Sequence, residues 1–227
     1  MRPHARQTSR RAGAGLAVLL GMGCVGLITS SWGATLKVTV VLPDGHPMEG
    51  VVVTVQPTTG PAHPAAPVQA VMDQVNRAFS PDLLVIPLES SVAFPNSDSV
   101  SHQIYSFSPP KRFQLPLYRG KQYPPVVFDQ PGVVTLGCNI HDEMLAYVLV
   151  TDAPFYGRTN TKGAWSADVP GGGYRVSIWH PRIREDARDL QREVTVSDAD
   201  GGNLTLRLAK PLKPASLEGR PHSWDSY

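Results

Sequence analysis

Short runs of β-branched and aromatic residues recur along this chain from residue 35 to residue 208, each closed off by Gly, Pro, Asn or Asp. They include "LKVTVVL", "GVVVTVQ", "LLVIPL", "SVAFPN", "HQIYSF", "PVVFD", "GVVTLG", "LAYVLVT", "YRVSIWH" and "NLTLRL". No apolar stripe of helical period competes with them, so the expected fold is all-β. Gly and Pro supply 42 of the 227 residues, which suits turns at sandwich spacing and not long helices. The roughly 190 residues after residue 33 exceed what one small sandwich needs and suffice for two.

Residues 35–56 carry the turn residues of a β-hairpin, with Pro43-Asp44-Gly45 and Met48-Glu49-Gly50 between two apolar runs. Residues 57–67, "PTTGPAHPAAP", read as a linker. About seven or eight strands are expected over 68–150, and a further β-rich stretch over 151–208. Within it "RIREDARDLQREV", 182–194, is a loop or a short helix. The tail 209–227 is polar and rich in Pro, the composition of a disordered segment.

Residues 1–33 have the order of a secretory signal. Four arginines and no acid come first, then "AGLAVLLGMGCVGLI", then small residues, with cleavage expected after Gly33. The apolar run is shorter than the ~20 residues of a membrane span, so no span is expected after cleavage, and the periplasm is the expected location. Removing the four arginines turns 21 basic against 19 acidic residues into 17 against 19, a net charge of −2. A mature chain of that charge has no general footprint for nucleic acid.

Cleavage also removes Cys24 and leaves Cys138 alone, so no internal disulfide can form. A single thiol in an oxidising compartment is a liability unless buried or ligated. Its neighbours in "GCNIHDEM" favour ligation, because His141 and Met144 follow at intervals of three. The segment reads as a tight loop between "GVVTLG" and "LAYVLV", where side chains three apart converge. Thiolate, imidazole and thioether are soft donors suited to copper, and Met is a poor zinc ligand. Blue-copper sites use Cys, two His and a weak axial Met, which leaves one His to be found. His46 sits in a turn, His63 in the linker, His222 in the tail, and His180 in the last β-rich stretch. His102 opens "HQIYSF" within the same run of strands as Cys138 and is the choice.

At these residues the chain resembles the cupredoxins, including the amicyanin- and plastocyanin-like members, over about 68–150. "VAFPNSDSVSH" looks like their strand to the first histidine, and "PGVVTLGCNIHDEM" like their ligand loop, with Cys-x-x-His-x-x-Met spacing similar to amicyanin. The chain also resembles exported methylamine-utilisation proteins. The resemblance implies a Greek-key sandwich holding one mononuclear type 1 copper at His102, Cys138, His141 and Met144. Gln103 and Leu136 depart from it, standing where many members have Asn and Tyr. It implies an electron carrier, not an enzyme, that exchanges electrons with a redox protein such as a c-type cytochrome or a periplasmic dehydrogenase. Lys111, Arg112, Arg119 and Lys121 lie in an acid-free stretch, 103–128, that is either an ordinary solvated loop or a face for docking an acidic partner.

"VTVVLPDGHPMEGVVVTV" and "TNTKGAWSADVPGGGYRVSIW" resemble, in that order, parts of carboxypeptidase-regulatory-like (transthyretin-like) sandwiches. The expectation is that 35–56 and 151–208 build this second sandwich, with the copper domain inserted between them. Copper storage, delivery or sensing is the alternative function. It is disfavoured by the small number of methionines, five in the whole chain. A multicopper enzyme is disfavoured because no His-x-His pair occurs.

Overall fold

The computed structural model describes residues 33–60, 63–120 and 123–214. The signal expected over 1–33 therefore lies outside the described residues except for Gly33, as do Lys121 and residues 215–227. Among the described residues there are only strands and turns, and no helix long and apolar enough to cross a membrane.

Seven strands surround one apolar core. A three-stranded sheet has β1 (Ala34–Val41) between β14 (Ala164–Val169) and β17 (Gly202–Arg207). Facing it is a four-stranded sheet in the order β13 (Phe155–Arg158), β2 (Val52–Pro57), β15 (Gly172–Trp179), β16 (Gln191–Val196). Leu36, Val38 and Val40 of β1 meet Val53 and Val55 of β2 and Val176 and Ile178 of β15. The strands before residue 58 thus pair with strands after residue 154, and the chain leaves this sandwich and re-enters it.

The intervening residues build a second core. A five-stranded sheet runs β6 (Leu83–Pro87), β12 (Leu145–Thr151), β11 (Gly132–Gly137), β8 (His102–Ser106), β9 (Phe113–Tyr118). Opposite it lies β10 (Val126–Phe128), β7 (Ser90–Ala93), β3 (Gln69–Val71), and beside them the hairpin of β4 (Asp73–Val75) and β5 (Ala78–Ser80). Ile86, Ile104, Phe128, Leu136 and Val148 fill the space between.

The two sandwiches touch back to back. Val52, Leu83 and Leu149 are buried there with Tyr147 and Trp179, whose rings stand 5.5 Å apart. This seam explains the unbroken apolar runs "GVVVTV" and "LAYVLV". Strands β2 and β12 are buried on both faces, so polar residues have no face to occupy.

Two expectations need correction. Strands β1 and β2 do not form a hairpin; they belong to facing sheets, and the end of β1 bridges instead to the connecting segment, Val41 to Pro47. The segment between them crosses the end of the core and buries Met48 there, which a tight turn would prevent. Residues 209–214 are ordered, in contrast to the expected tail. The Glu185 carboxylate accepts the N–H groups of Ala209 and Lys210 at 2.7 and 3.0 Å, Lys213 N–H donates to Arg182 O at 2.8 Å, and Leu212 packs on the first core.

His180 sits beside the seam, in a cleft shared with Asp82, Tyr147, Arg158 and Arg182. Its Nδ1 accepts the Arg182 N–H at 3.2 Å. Burial, with help from the Arg182 and Arg158 guanidiniums, holds its pKa down at about 4, against an ordinary 6.5. The unfolded chain therefore binds the extra proton first. The stabilisation is complete above pH 6.5 and is lost as the pH falls toward 4. At this partly exposed position it should amount to on the order of 1–2 kcal/mol after solvent screening. Urea midpoints at pH 7 and pH 4.5 check this: His180→Asn, which keeps an acceptor but no titration, should lose less stability over that interval than the native chain.

Candidate metal centre

Strand parity aims two side chains at one point. On β11 the inward residues are Val134 and Leu136, and the next residue of that parity is Cys138, buried at the strand end. On β8 the inward residues are His102, Ile104 and Ser106. The strands are joined at Tyr105 and Gly137. Gly137 lets the Tyr105 ring lie close across the pair, where a Cβ would come 2.8 Å from it. A second tie holds the loop to β8, where Asn139 Nδ2 donates to Gln103 Oε1 at 2.9 Å.

The loop after Cys138 turns back tightly, with Met144 N–H donating to His141 O at 3.0 Å. That turn carries His141 over His102, ring centroids 4.9 Å apart and steeply inclined. Cys138 Sγ lies 4.0 Å from His102 Nδ1. One donor atom from each of His102, Cys138 and His141 falls within 4.8 Å of the others. Met144 is buried in the same cluster as Cys138.

Three observations test whether these residues suit a metal ion. Zinc-like bonds of ~2.3 Å to sulfur and ~2.0 Å to nitrogen, opened by about 120°, separate the donors by about 3.7 Å, close to the distance found. His141 Nδ1 is buried and has no hydrogen-bond partner, a condition that costs about 1–3 kcal/mol unless something accepts its lone pair. Burial, then the neighbouring His102, lowers the His141 pKa, which favours the neutral ring that a metal ion requires. The set fits a soft or borderline ion.

Asp98 belongs to the site and had no signal in the sequence beyond lying in "NSDSVS". Its Oδ2 is 2.9 Å from His102 Nε2, the ring nitrogen facing away from Cys138. Burial would raise its pKa, but hydrogen bonds from Arg77 N–H, His102 and Ser99 N–H outweigh this and hold it at about 2. The loop that presents it is itself stapled by Asn96, whose Nδ2 donates to Val100 O at 3.0 Å and Tyr118 O at 2.8 Å. Of the other histidines, His46 is exposed and pairs with Asp44, and His180 lies at the seam. Lys111 is taken by Asp129 at 3.0 Å, while Arg112 and Arg119 are exposed.

No protein-family model matches this sequence, and no curated protein matches it. Among solved structures it is similar to a purple cupredoxin from Nitrosopumilus maritimus, with 27% identity over 36% of this chain and 99% of that one, at a TM-score of 0.33. It is similar to a copper-containing nitrite reductase from Thermus scotoductus, with 26% identity over 42% of this chain and 25% of that one, at 0.35. A reduced amicyanin mutant matches at 18% identity over 43% of this chain and 99% of its own, at 0.34. Likenesses at this TM-score carry no weight for the chemistry, which depends on the side chains just described.

Proposed function

We propose that this chain is an exported type 1 copper protein that carries single electrons between redox partners. The observation that supports it is the convergence of His102, Cys138 and the unpartnered Nδ1 of His141 within 4.8 Å. Met144, buried in the same core cluster as Cys138, would be the fourth ligand. Copper, when bound, supplies the one-electron chemistry. The protein's part is to keep the donors in place. His102 is paired with Tyr118 in its sheet, Cys138 directly follows the Gly137–Tyr105 pair, and both are buried, so little needs to move when the charge at the site changes. His141 is only half-buried and adjoins Ile140, which is 51% exposed. This is the route by which a partner, such as a c-type cytochrome or a periplasmic dehydrogenase, reaches the site. Arg112 and Arg119 remain available to an acidic partner; Lys111 is engaged by Asp129.

The test is an absorption spectrum of residues 34–227 titrated with Cu(II). An intense visible thiolate-to-copper band, saturating at one copper per chain and abolished in Cys138→Ser, is the expected result. Met144→Leu should keep the band and raise the reduction potential. A colourless protein, or copper binding indifferent to Cys138, rejects the reading. Copper lost on each reduction cycle would point instead to storage or delivery.

A further inference from the structure

We infer that Asp98 is a positioning residue that fixes the tautomer of His102 and, through its charge, sets the electron affinity of the centre. The redox half of this inference rests on the copper reading above; the tautomer half does not.

A neutral imidazole carries its proton on one nitrogen and its lone pair on the other, and the neighbour of one nitrogen decides the role of both. His102 is fully buried, so water does not make that choice. Nε2 faces Asp98 Oδ2 at 2.9 Å and Nδ1 faces Cys138 Sγ at 4.0 Å. An ionised carboxylate can only accept. Nε2 must therefore be the donor, and the Nδ1 lone pair points at the thiol and His141.

Asp98 cannot turn away from this duty. Its Oδ2 also accepts Arg77 N–H at 2.7 Å, and its Oδ1 accepts Ser99 N–H at 2.7 Å. Arg77 is at the tip of the β4–β5 hairpin, with Asn76 and Arg77 both in the left-handed region, φ 53° and 58°, so the hairpin turns an N–H toward the carboxylate. From the other side Asp98 N–H donates to Asn96 Oδ1 at 3.0 Å. Two loops distant in sequence thus aim one carboxylate at one ring nitrogen.

A carboxylate behind a ligating histidine raises its basicity, and its loss commonly costs 10–100-fold in metal affinity. The negative charge favours the more positive oxidation state, so its removal should weaken Cu(II) binding more than Cu(I) binding. A tenfold difference between the two corresponds to a rise of 59 mV in potential for a one-electron couple.

Asp98→Asn keeps the acceptor and the shape while removing the charge. The expected result is a potential raised by about the tenfold equivalent, with the copper band retained. An unchanged potential in a folded, copper-loaded Asp98→Asn protein would show Asp98 to be only a loop staple and overturn the inference. The second measurement uses the native chain without metal: nitrogen-15 NMR of the His102 ring should find the proton on Nε2. A proton on Nδ1 also overturns it, whether or not the variant folds. If the native chain binds no copper yet shows the Nε2–H tautomer, the copper reading fails and the positioning role of Asp98 stands.

Discussion

Gly163→Ala will lower the melting temperature by about 6–12 °C, whereas Gly120→Ala, at nearly the same backbone angle, will lower it by only about 3–6 °C. Both glycines occupy the left-handed region, φ +65° and +63°. There an L-residue costs roughly 1–2 kcal/mol, and that cost is common to both. The surroundings differ. Nothing lies within 4 Å of a Cβ built on Gly120, but one on Gly163 would meet Val40 O at 2.5 Å and Met48 N at 3.0 Å. Those atoms belong to the ladder that closes the end of the first core. Val40 N–H donates to Gly163 O at 2.8 Å, and Met48 N–H donates to Val40 O at 3.0 Å. Backbone cannot yield as a flexible side chain can, so one or both bonds must stretch, at about 1 kcal/mol each. The sum is about 2–4 kcal/mol, against about 1–2 kcal/mol for the control. Calorimetry of the two variants decides it: equal shifts would mean that the strand ends accommodate the methyl group and that close approach plays no part.

This glycine also shows what kind of structural information a sequence holds. Asn160, Lys162 and Gly163 are readable as a turn because the reasons for them are local. Asn160 Oδ1 accepts the N–H groups of Lys162 and Ala164 at 2.9 and 3.1 Å. The proposed loop ligands are readable for the same reason, since the intervals between Cys138, His141 and Met144 lie within one turn. His102 is further away, but its place on a strand with Ile104 and Ser106 inward makes its direction a matter of parity. Asp98 is different. Its aim depends on Asn96 finding Tyr118 O, 22 residues onward, and on Arg77, 21 residues back. No spacing encodes that. The separation of β1 and β2 into facing sheets is obscured by turn residues at 43–50 that suit a hairpin. The informative feature there is the consecutive Val51, Val52 and Val53, all fully buried. Such a run needs apolar neighbours on both faces, which a strand in an exposed hairpin lacks. The strands β3, β4 and β5 are three residues each, too short to show an alternation at all.

Phe128→Ala will cost about 3–5 kcal/mol while leaving the copper band of the proposed site in place in the folded protein. The ring is fully buried and stands edge-on to Phe113, centroids 6.3 Å apart and planes at 85°. It plugs the end of the second core, where Phe128 O accepts Glu89 N–H at 2.9 Å in the turn between β6 and β7. That turn lies level with Thr151 and Pro87, which pair with each other, and so with the start of β11. Cys138 follows the far end of β11, about 17–20 Å away at the ~3.3 Å rise of a strand. Deleting the ring removes transfer free energy and leaves a cavity that Phe113 and the backbone can only partly close. The urea midpoint should fall accordingly. The donors at the other end are held by different contacts: the Gly137–Tyr105 pairing, the Asn139–Gln103 bond and the Asp98 cradle. A band of unchanged position and intensity in folded Phe128→Ala protein would show that these local contacts suffice to shape the site. A shifted band would mean that the core transmits strain along β11, and that rigidity at the metal centre depends on packing throughout the sandwich.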